Sequence, residues 1–508
     1  MKNSFVPVVA LALALSAGTL CAEDVAKFPS EKSLTAGSAL AAAPQVDVAT
    51  QVFSLPGVRF MQKVRVHDSL AEVSVSGLPK GLRWNAARTL IEGVVKKEGS
   101  YYYDLHVVTP QARVDTTILL TVSKDLQQPT PMMGWLSWNV FEWEIDEAKV
   151  KEVAAAWERY GLFKAGYRYL CLDDLWHAKS REEGTGKPRF DAEKFPSGLK
   201  ALADHVHAKG LKFGIYSDAA PYTCAGAFGS LGYEAVDARQ YAEWGFDLLK
   251  YDYCHAPEDV ETAIVRYTEM GDALKASGRD ILFYVCEWGA RSPWLWGART
   301  GGSCWRCTYD TRDCWCGQPG GIGVLQSIEG MRDIWPWSGP NRFNDADMLC
   351  VGLHGTGKSS NALTKGKPGM TQTEYRTQFS LWCMWSSPLM LSFDLRNISN
   401  DDLAIITNAE LIALDQDPLG QQAEYLGEQG GVQLYAKDLA NGDVAVAVVN
   451  VGDASARYTI DFSKVPALSA KQVYRMRDLW QHVDLGRVRG SHEGQLAAHE
   501  THVFRLSK

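Results

Sequence analysis

The apolar positions of this chain change period twice. From 46 to 126 they alternate with polar ones in short runs, "EVSVS" (72–76), "YYYDLHVV" (101–108) and "TTILLTV" (116–122), separated by Gly, Pro and charged residues. Period two with β-branched and aromatic residues predicts strands, and such runs broken by turn residues over about 80 residues predict a small β-sandwich. Past "QQPTP" (127–131) helices and strands alternate. In "DEAKVKEVAAAWERYG", Val150, Val153, Ala154 and Trp157 share one helical face and Gly161 ends it. In "PSGLKALADHVHAKG", Leu199, Leu202, Ala203 and Val206 do the same before Gly210. Between such helices lie buried-type strands, "YRYLCL" (167–172), "LKFGIY" (211–216), "FDLLKY" (246–251) and "ILFYVC" (281–286). Connections of this length predict parallel βα units, and 131–419 is the size of one (β/α)8 TIM barrel with insertions. A doubly wound sheet is the competing architecture, but no G-x-G-x-x-G follows the first strand. After "LDQDPLG" the helical period stops. Residues 420–508 predict an antiparallel β domain, with Asn441-Gly442 at a hairpin turn. The fold class is therefore α/β, a barrel flanked by two β domains.

The segment before 46 fits neither pattern. Lys2, an apolar run at 8–16 and small residues near Ala22 predict a signal peptide at 1–22, then an Ala-rich linker at 23–45. An exported protein, periplasmic or extracellular, is expected. A net charge of −8 and a pI near 5.8 argue against nucleic-acid or anionic-membrane partners. A neutral small molecule suits that charge, and 17 Trp supply apolar faces for sugar rings. The sequence leaves self-association open. Eleven Cys in an exported chain predict disulfides. For Cys304, Cys307, Cys314 and Cys316 that reading is preferred to a zinc knot.

The barrel strands end in polar groups. "GWLSWN" closes the first; Asp173 and Asp174 the next; then come Tyr216 with Asp218 shortly after, Lys250 with Asp252, Glu287, Arg306 with Asp310, and Asp345 with Asp347. Parallel strands gather these ends at one face, where active sites lie. Carboxylates converging there need a metal, a cation or a polyhydroxylated ligand. The two chemistries that suit are a divalent-metal site and a glycosidase with paired carboxylates. No H-x-H follows a strand, and His177, His205, His207 and His255 fall on predicted helices or loops. A glycosidase without metal or other cofactor is the expectation.

Several motifs occur in one order: "PMMGWLSWNVF", "AGYRYLCLDDLW", "VHAKGLKFGIYSD", "LLKYDYC", "CEWG", "CWRCTYDTRDCW", "FNDADML" and "LIALDQDPLG". In that order they resemble glycoside hydrolase family 27, the α-galactosidase (melibiase) family, from 131 to the chain end. The β-module at 46–126 lies outside this resemblance and resembles bacterial Ig-like modules through "GLPKGL". The family resemblance implies an exo-acting retaining hydrolase of terminal α-galactosyl residues in oligosaccharides or glycoconjugates, with Asp252 as nucleophile and Asp310 as acid/base. Asp252 would stay ionised beside Lys250, and Asp310 would carry a raised pKa. Trp135, Asp173, Asp174, Tyr216, Lys250, Glu287, Arg306 and Asp347 would contact the sugar, with Glu287 excluding a 2-acetamido group. Cys224 and Cys254 would pair at the rim. The Cys-rich "SCWRCTYDTRDCWCG" departs from the family pattern, and in it Cys304 or Cys307 is a candidate disulfide partner for Cys286. Alternatives within the family are an α-N-acetylgalactosaminidase and a β-L-arabinopyranosidase; in another class, a catalytically silent sugar-binding protein.

Overall fold

The structure, a computed structural model, describes residues 45–110, 112–317, 321–357 and 367–508. The expected leader at 1–22, and the linker at 23–45 apart from Gln45, lie outside the described residues. Among the described residues no helix is long and apolar enough to cross a membrane.

Eight parallel strands form the central sheet: β1 (Met133–Leu136), β2 (Tyr169–Cys171), β3 (Lys212–Asp218), β4 (Leu248–Asp252), β5 (Leu282–Val285), β6 (Cys304–Arg306), β7 (Phe343–Asp345) and β8 (Leu389–Leu391). Their spatial order is β7-β6-β5-β4-β3-β2-β1-β8, and a parallel bridge from Leu349 to Leu391 closes the ring. Helices pack outside, among them α1 (Glu147–Arg159), α2 (Leu199–Ala208), α3 (Glu234–Trp244), α4 (Val260–Ala276), α5 (Val324–Met331) and α6 (Gln372–Trp385). The predicted helical faces are the buried ones: Val150, Val153, Ala154 and Trp157 of α1 and Leu199, Leu202, Ala203 and Val206 of α2. Asp146 caps α1 by accepting from the Lys149 N–H at 2.8 Å.

Strand alternation sorts the barrel residues into two groups. Leu136, Tyr169, Cys171, Leu248, Leu282, Tyr284, Cys304, Phe343 and Met390 fill the interior. Their sequence neighbours Trp135, Leu170, Leu249, Phe283, Val285 and Trp305 pack outward beneath the helices. Interior apolar groups occupy the lower strands, and the polar pairs continue the same faces upward.

Before the barrel, a four-stranded sheet (51–54, 113–122, 99–108, 72–76) and a three-stranded one (59–63, 90–94, 82–85) enclose Val52, Phe60, Ile91, Tyr103, Leu105 and Ile118. After it, a six-stranded antiparallel sheet over 424–507 and a two-stranded one (456–461, 491–496) enclose Val446, Ile460, Phe462, Met476 and Phe504. The 432–438/444–450 hairpin turns at Gly442 (φ 91°), as Asn-Gly predicts. The N-terminal sandwich docks on the C-terminal one. Lys63, almost wholly buried, lies 3.1 Å from Glu424 and 3.3 Å from Asp438, and Arg88 reaches Asp438 at 2.8 Å.

Candidate active site

The ends of the interior faces surround a cavity of about 370 Å³. Asp173, Asp174, Tyr216, Lys250, Asp252, Arg306 and Asp310 line it, as the strand ends predict. Registers place Tyr216 beside Lys250 and Asp218 beside Asp252 across β3 and β4.

One side of the cavity is built on Asp173. Its Oδ2 accepts from Lys250 Nζ at 2.8 Å, and its Oδ1 from the Asp174 N–H at 2.9 Å. Asp174 accepts from the Leu175 and Ala225 N–H groups at 2.7 and 3.0 Å. Burial lifts its carboxyl to about 6. Lys250 also lies 5.2 Å from the Tyr216 ring centre. Asp252 Oδ2 accepts from the Tyr216 hydroxyl at 3.0 Å, and Oδ1 from the Tyr253 N–H at 3.1 Å. Burial raises Asp252 to about 6; Lys250 opposes the rise, and Asp310 and Asp173 add to it.

The other side is built on Arg306, which is 1% exposed. It reaches Asp347 at 2.8 Å and Asp310 at 3.2 Å. Arg312 stands 3.5 Å from the second oxygen of Asp310. Burial favours a neutral Asp310, but Arg306, Arg312 and Lys250 outweigh it and hold the carboxyl below its ordinary value. The expectation of a raised Asp310 is thus corrected: two guanidinium groups face it, and its side chain keeps 32% exposure. Asp347 sits behind Arg306 in the left-handed region (φ 79°), where its carboxylate also accepts from the Thr311 N–H at 2.7 Å.

Three expected sugar contacts do not line the cavity; one is Asp347, which Arg306 covers. Trp135 points outward from β1, donating to the Phe393 carbonyl at 2.8 Å, because Gly134 and Leu136 take the inward positions. Trp138 lines the cavity instead. Glu287 follows Cys286, which continues the inward face of Leu282 and Tyr284 and approaches Arg306 at 3.9 Å. Glu287 therefore turns away and binds the Arg291 N–H at 2.8 Å and Nη1 at 3.2 Å. Burial lifts it to about 8 against the pull of Arg291.

Cys224 and Cys254 form the expected disulfide at the rim. The other expected pairings are not made, and Cys286, Cys304, Cys307, Cys314 and Cys316 are free thiols. Tyr284 pairs with Cys304 across β5 and β6. Cys286 is thus level with Arg306, two residues above Cys304, while Cys307 faces outward. The same opposition of faces prevents Cys304 and Cys307 from acting as two ligands of one zinc ion.

Asp218, expected at the strand end after Tyr216 but given no role, is fully buried beside Asp252. One oxygen accepts from the Cys254 N–H at 2.9 Å and the other has no partner. Burial, then the Asp252 charge, push it to about 9. Asp218, Asp252 and the two rim sulfurs lie within 4.8 Å of one another, but the disulfide occupies both sulfurs.

Residues 130–417 match the family described as Alpha galactosidase A, and 429–506 match the Alpha galactosidase C-terminal beta sandwich domain. The chain belongs to the α-galactosidase (melibiase) family of glycoside hydrolases. Alpha-galactosidase A of Cellvibrio japonicus is 40% identical over 392 residues, 74% of this chain and 92% of that protein. The structure of α-galactosidase I from Mortierella vinacea superposes with a TM-score of 0.70 at 32% identity, covering 76% of this chain and 99% of that one. A candidate α-galactosidase from Bacteroides fragilis gives 0.71 at 34% identity and covers 92% of this chain and 98% of its own. Since 127–508 is only about three quarters of this chain, that last match extends into the N-terminal sheets.

Proposed function

We propose that the protein removes terminal α-D-galactosyl residues by retaining double displacement. The observation that carries this reading is the pairing of two dissimilar carboxyls on one cavity, Asp252 beside Lys250 and Asp310 beside Arg306. Asp252 attacks the anomeric carbon, the glycosidic C–O bond breaks, and the proton on Asp310 passes to the leaving oxygen. Asp310, now ionised, takes a proton from water, whose oxygen attacks the same carbon and releases Asp252. Asp173, Asp174 and Lys250 receive the galactose hydroxyls; a sugar lacking one would leave a buried acceptor unpaired. Because Glu287 is off the cavity, discrimination at O2 is assigned to no contact of that side chain.

The test is turnover of three aryl glycosides: α-galactoside, α-N-acetylgalactosaminide and β-L-arabinopyranoside. The first is the expected substrate. No release of its phenol would end the proposal, and a preference for either of the others would move the enzyme within the family.

The carboxyl pair also sets a pH profile. The productive form holds one proton, on Asp310, with Asp252 charged. The pair loses that proton as pH rises past about 6, the level to which burial lifts Asp252. For a substrate that needs an acid, kcat/KM is therefore expected to fall as pH rises through about 6. At low pH it falls again when a second proton reaches the pair. Galactosyl fluoride needs no acid and should instead gain rate through the same interval. Parallel profiles for the two substrates would refute the assignment. Arg312→Gln removes one of the charges holding Asp310 down, so the acid limb should move to higher pH.

A further inference from the structure

The two sides of the cavity differ in chemistry. The Asp173 side offers acceptors and an amine. Beside Asp310, by contrast, the lining includes Trp288, Tyr309 and Arg312. Tyr309 is 37% exposed, although it is a large aromatic with apolar surface to bury. Its ring centre lies 6.4 Å from that of Trp288, at an interplanar angle of 64°.

The backbone holds these rings in place. Trp288 sits in the left-handed region (φ 58°), which a bulky residue occupies only when its surroundings impose it. Gly289 follows at φ 78°, and a Cβ there would lie 2.1 Å from the Cys307 carbonyl oxygen. The turn after β5 is thus pressed against the segment after β6 that carries Tyr309 and Asp310. The rings belong to two segments in backbone contact.

A general acid must stand within hydrogen-bond reach of the glycosidic oxygen. Whatever leaves therefore lies just beyond Asp310, against the residues next to it. Aromatic faces suit the apolar face of a pyranose, and their few torsions make stacking cheap in entropy. Arg312, whose side chain is 12% exposed, is placed to donate to hydroxyls of the same group.

We propose that Tyr309 and Trp288 form a stacking platform for the departing sugar. On this view the two rings favour a pyranose leaving group over a small alkyl alcohol. The inference rests on the α-galactosidase reading above and adds its leaving-group subsite.

The test compares melibiose, which releases glucose, with α-galactosyl fluoride, whose leaving group has no ring. Both are measured at one pH with the full chain. Tyr309→Ala should lower the melibiose-to-fluoride ratio of kcat/KM by about 5- to 10-fold, the scale of one aromatic contact. Tyr309→Phe, which keeps the ring, should retain the wild-type ratio. Trp288→Gly, which suits the positive φ, should lower the ratio in the same direction. An unchanged ratio in Tyr309→Ala, or an equal loss on both substrates, overturns the platform. Failure of the wild-type protein to consume galactosyl fluoride would instead remove the α-galactosidase reading, so the two failures are distinct.

Discussion

Asp252→Ala is expected to reduce turnover of aryl α-galactosides by at least about 10⁴-fold, the scale of loss when a covalent nucleophile is removed. The fold should survive. Asp252 is buried among Asp173, Asp218 and Asp310, so removing its carboxylate relieves repulsion, while the Tyr216 hydroxyl loses its acceptor at a cost of about 1 kcal/mol. The melting temperature should therefore move by no more than about 3 °C. The space left lies beside the anomeric position and close to the Lys250 charge, a setting for a small anion. Azide supplied in solution should attack the anomeric carbon from that side as the glycosidic bond breaks, giving β-galactosyl azide, with part of the rate restored on a substrate with a good leaving group. Azide product of α configuration, or near wild-type rate without azide, would refute Asp252 as the nucleophile.

How much of this was legible in the sequence follows from strand geometry. Lys250 and Asp252 are two residues apart in a strand whose Leu248 faces inward, so alternation alone carries both to the cavity. Asp173 follows Cys171 by the same rule. The rule also separates the residues that were misplaced. "GWLSWN" holds two tryptophans, and motif order selected Trp135; the inward positions of Gly134 and Leu136 turn it away and leave Trp138 to line the cavity. In "CEWG" the charged residue drew attention, yet the inward position belongs to Cys286.

What alternation cannot give is the charge state of a group beyond the strand end. Asp310 follows β6 on a loop, and its partner Arg312 approaches only through the turn after Thr311, whose N–H is fixed by Asp347. The expected raised pKa came from mechanism; the depression comes from Arg306 at the strand end and Arg312 on the loop, both facing the carboxyl. The docking of Lys63 on Asp438 joins positions at opposite ends of the chain, where no local pattern links them.

Arg306→Met should be the most destabilising single change in the cavity. Arg306 and Asp347 are each 1% exposed at the side chain, 2.8 Å apart, and Arg306 also offsets the buried Asp345 and the part-exposed Asp310. Methionine keeps much of the volume, so the loss is chiefly that of the charge. Without it Asp347 and Asp345 are left as uncompensated buried acids, a situation that costs about 3–5 kcal/mol. Those acids can escape by binding protons. Burial already holds Asp345 at about 6 even with Arg306 in place. A carboxyl with a raised folded pKa binds more protons folded than unfolded, so its stability contribution falls as pH rises. The deficit of Arg306→Met should thus be larger at pH 7.5 than at pH 5, measured by urea denaturation at both. The φ 79° of Asp347 adds a second consequence. That conformation persists because Arg306 and the Thr311 N–H both hold the carboxylate, so loss of Arg306 should loosen the loop that carries Asp310 and reduce turnover along with stability. A deficit below about 1 kcal/mol, or one independent of pH, would show that Arg306 is not the counter-ion of this acid cluster.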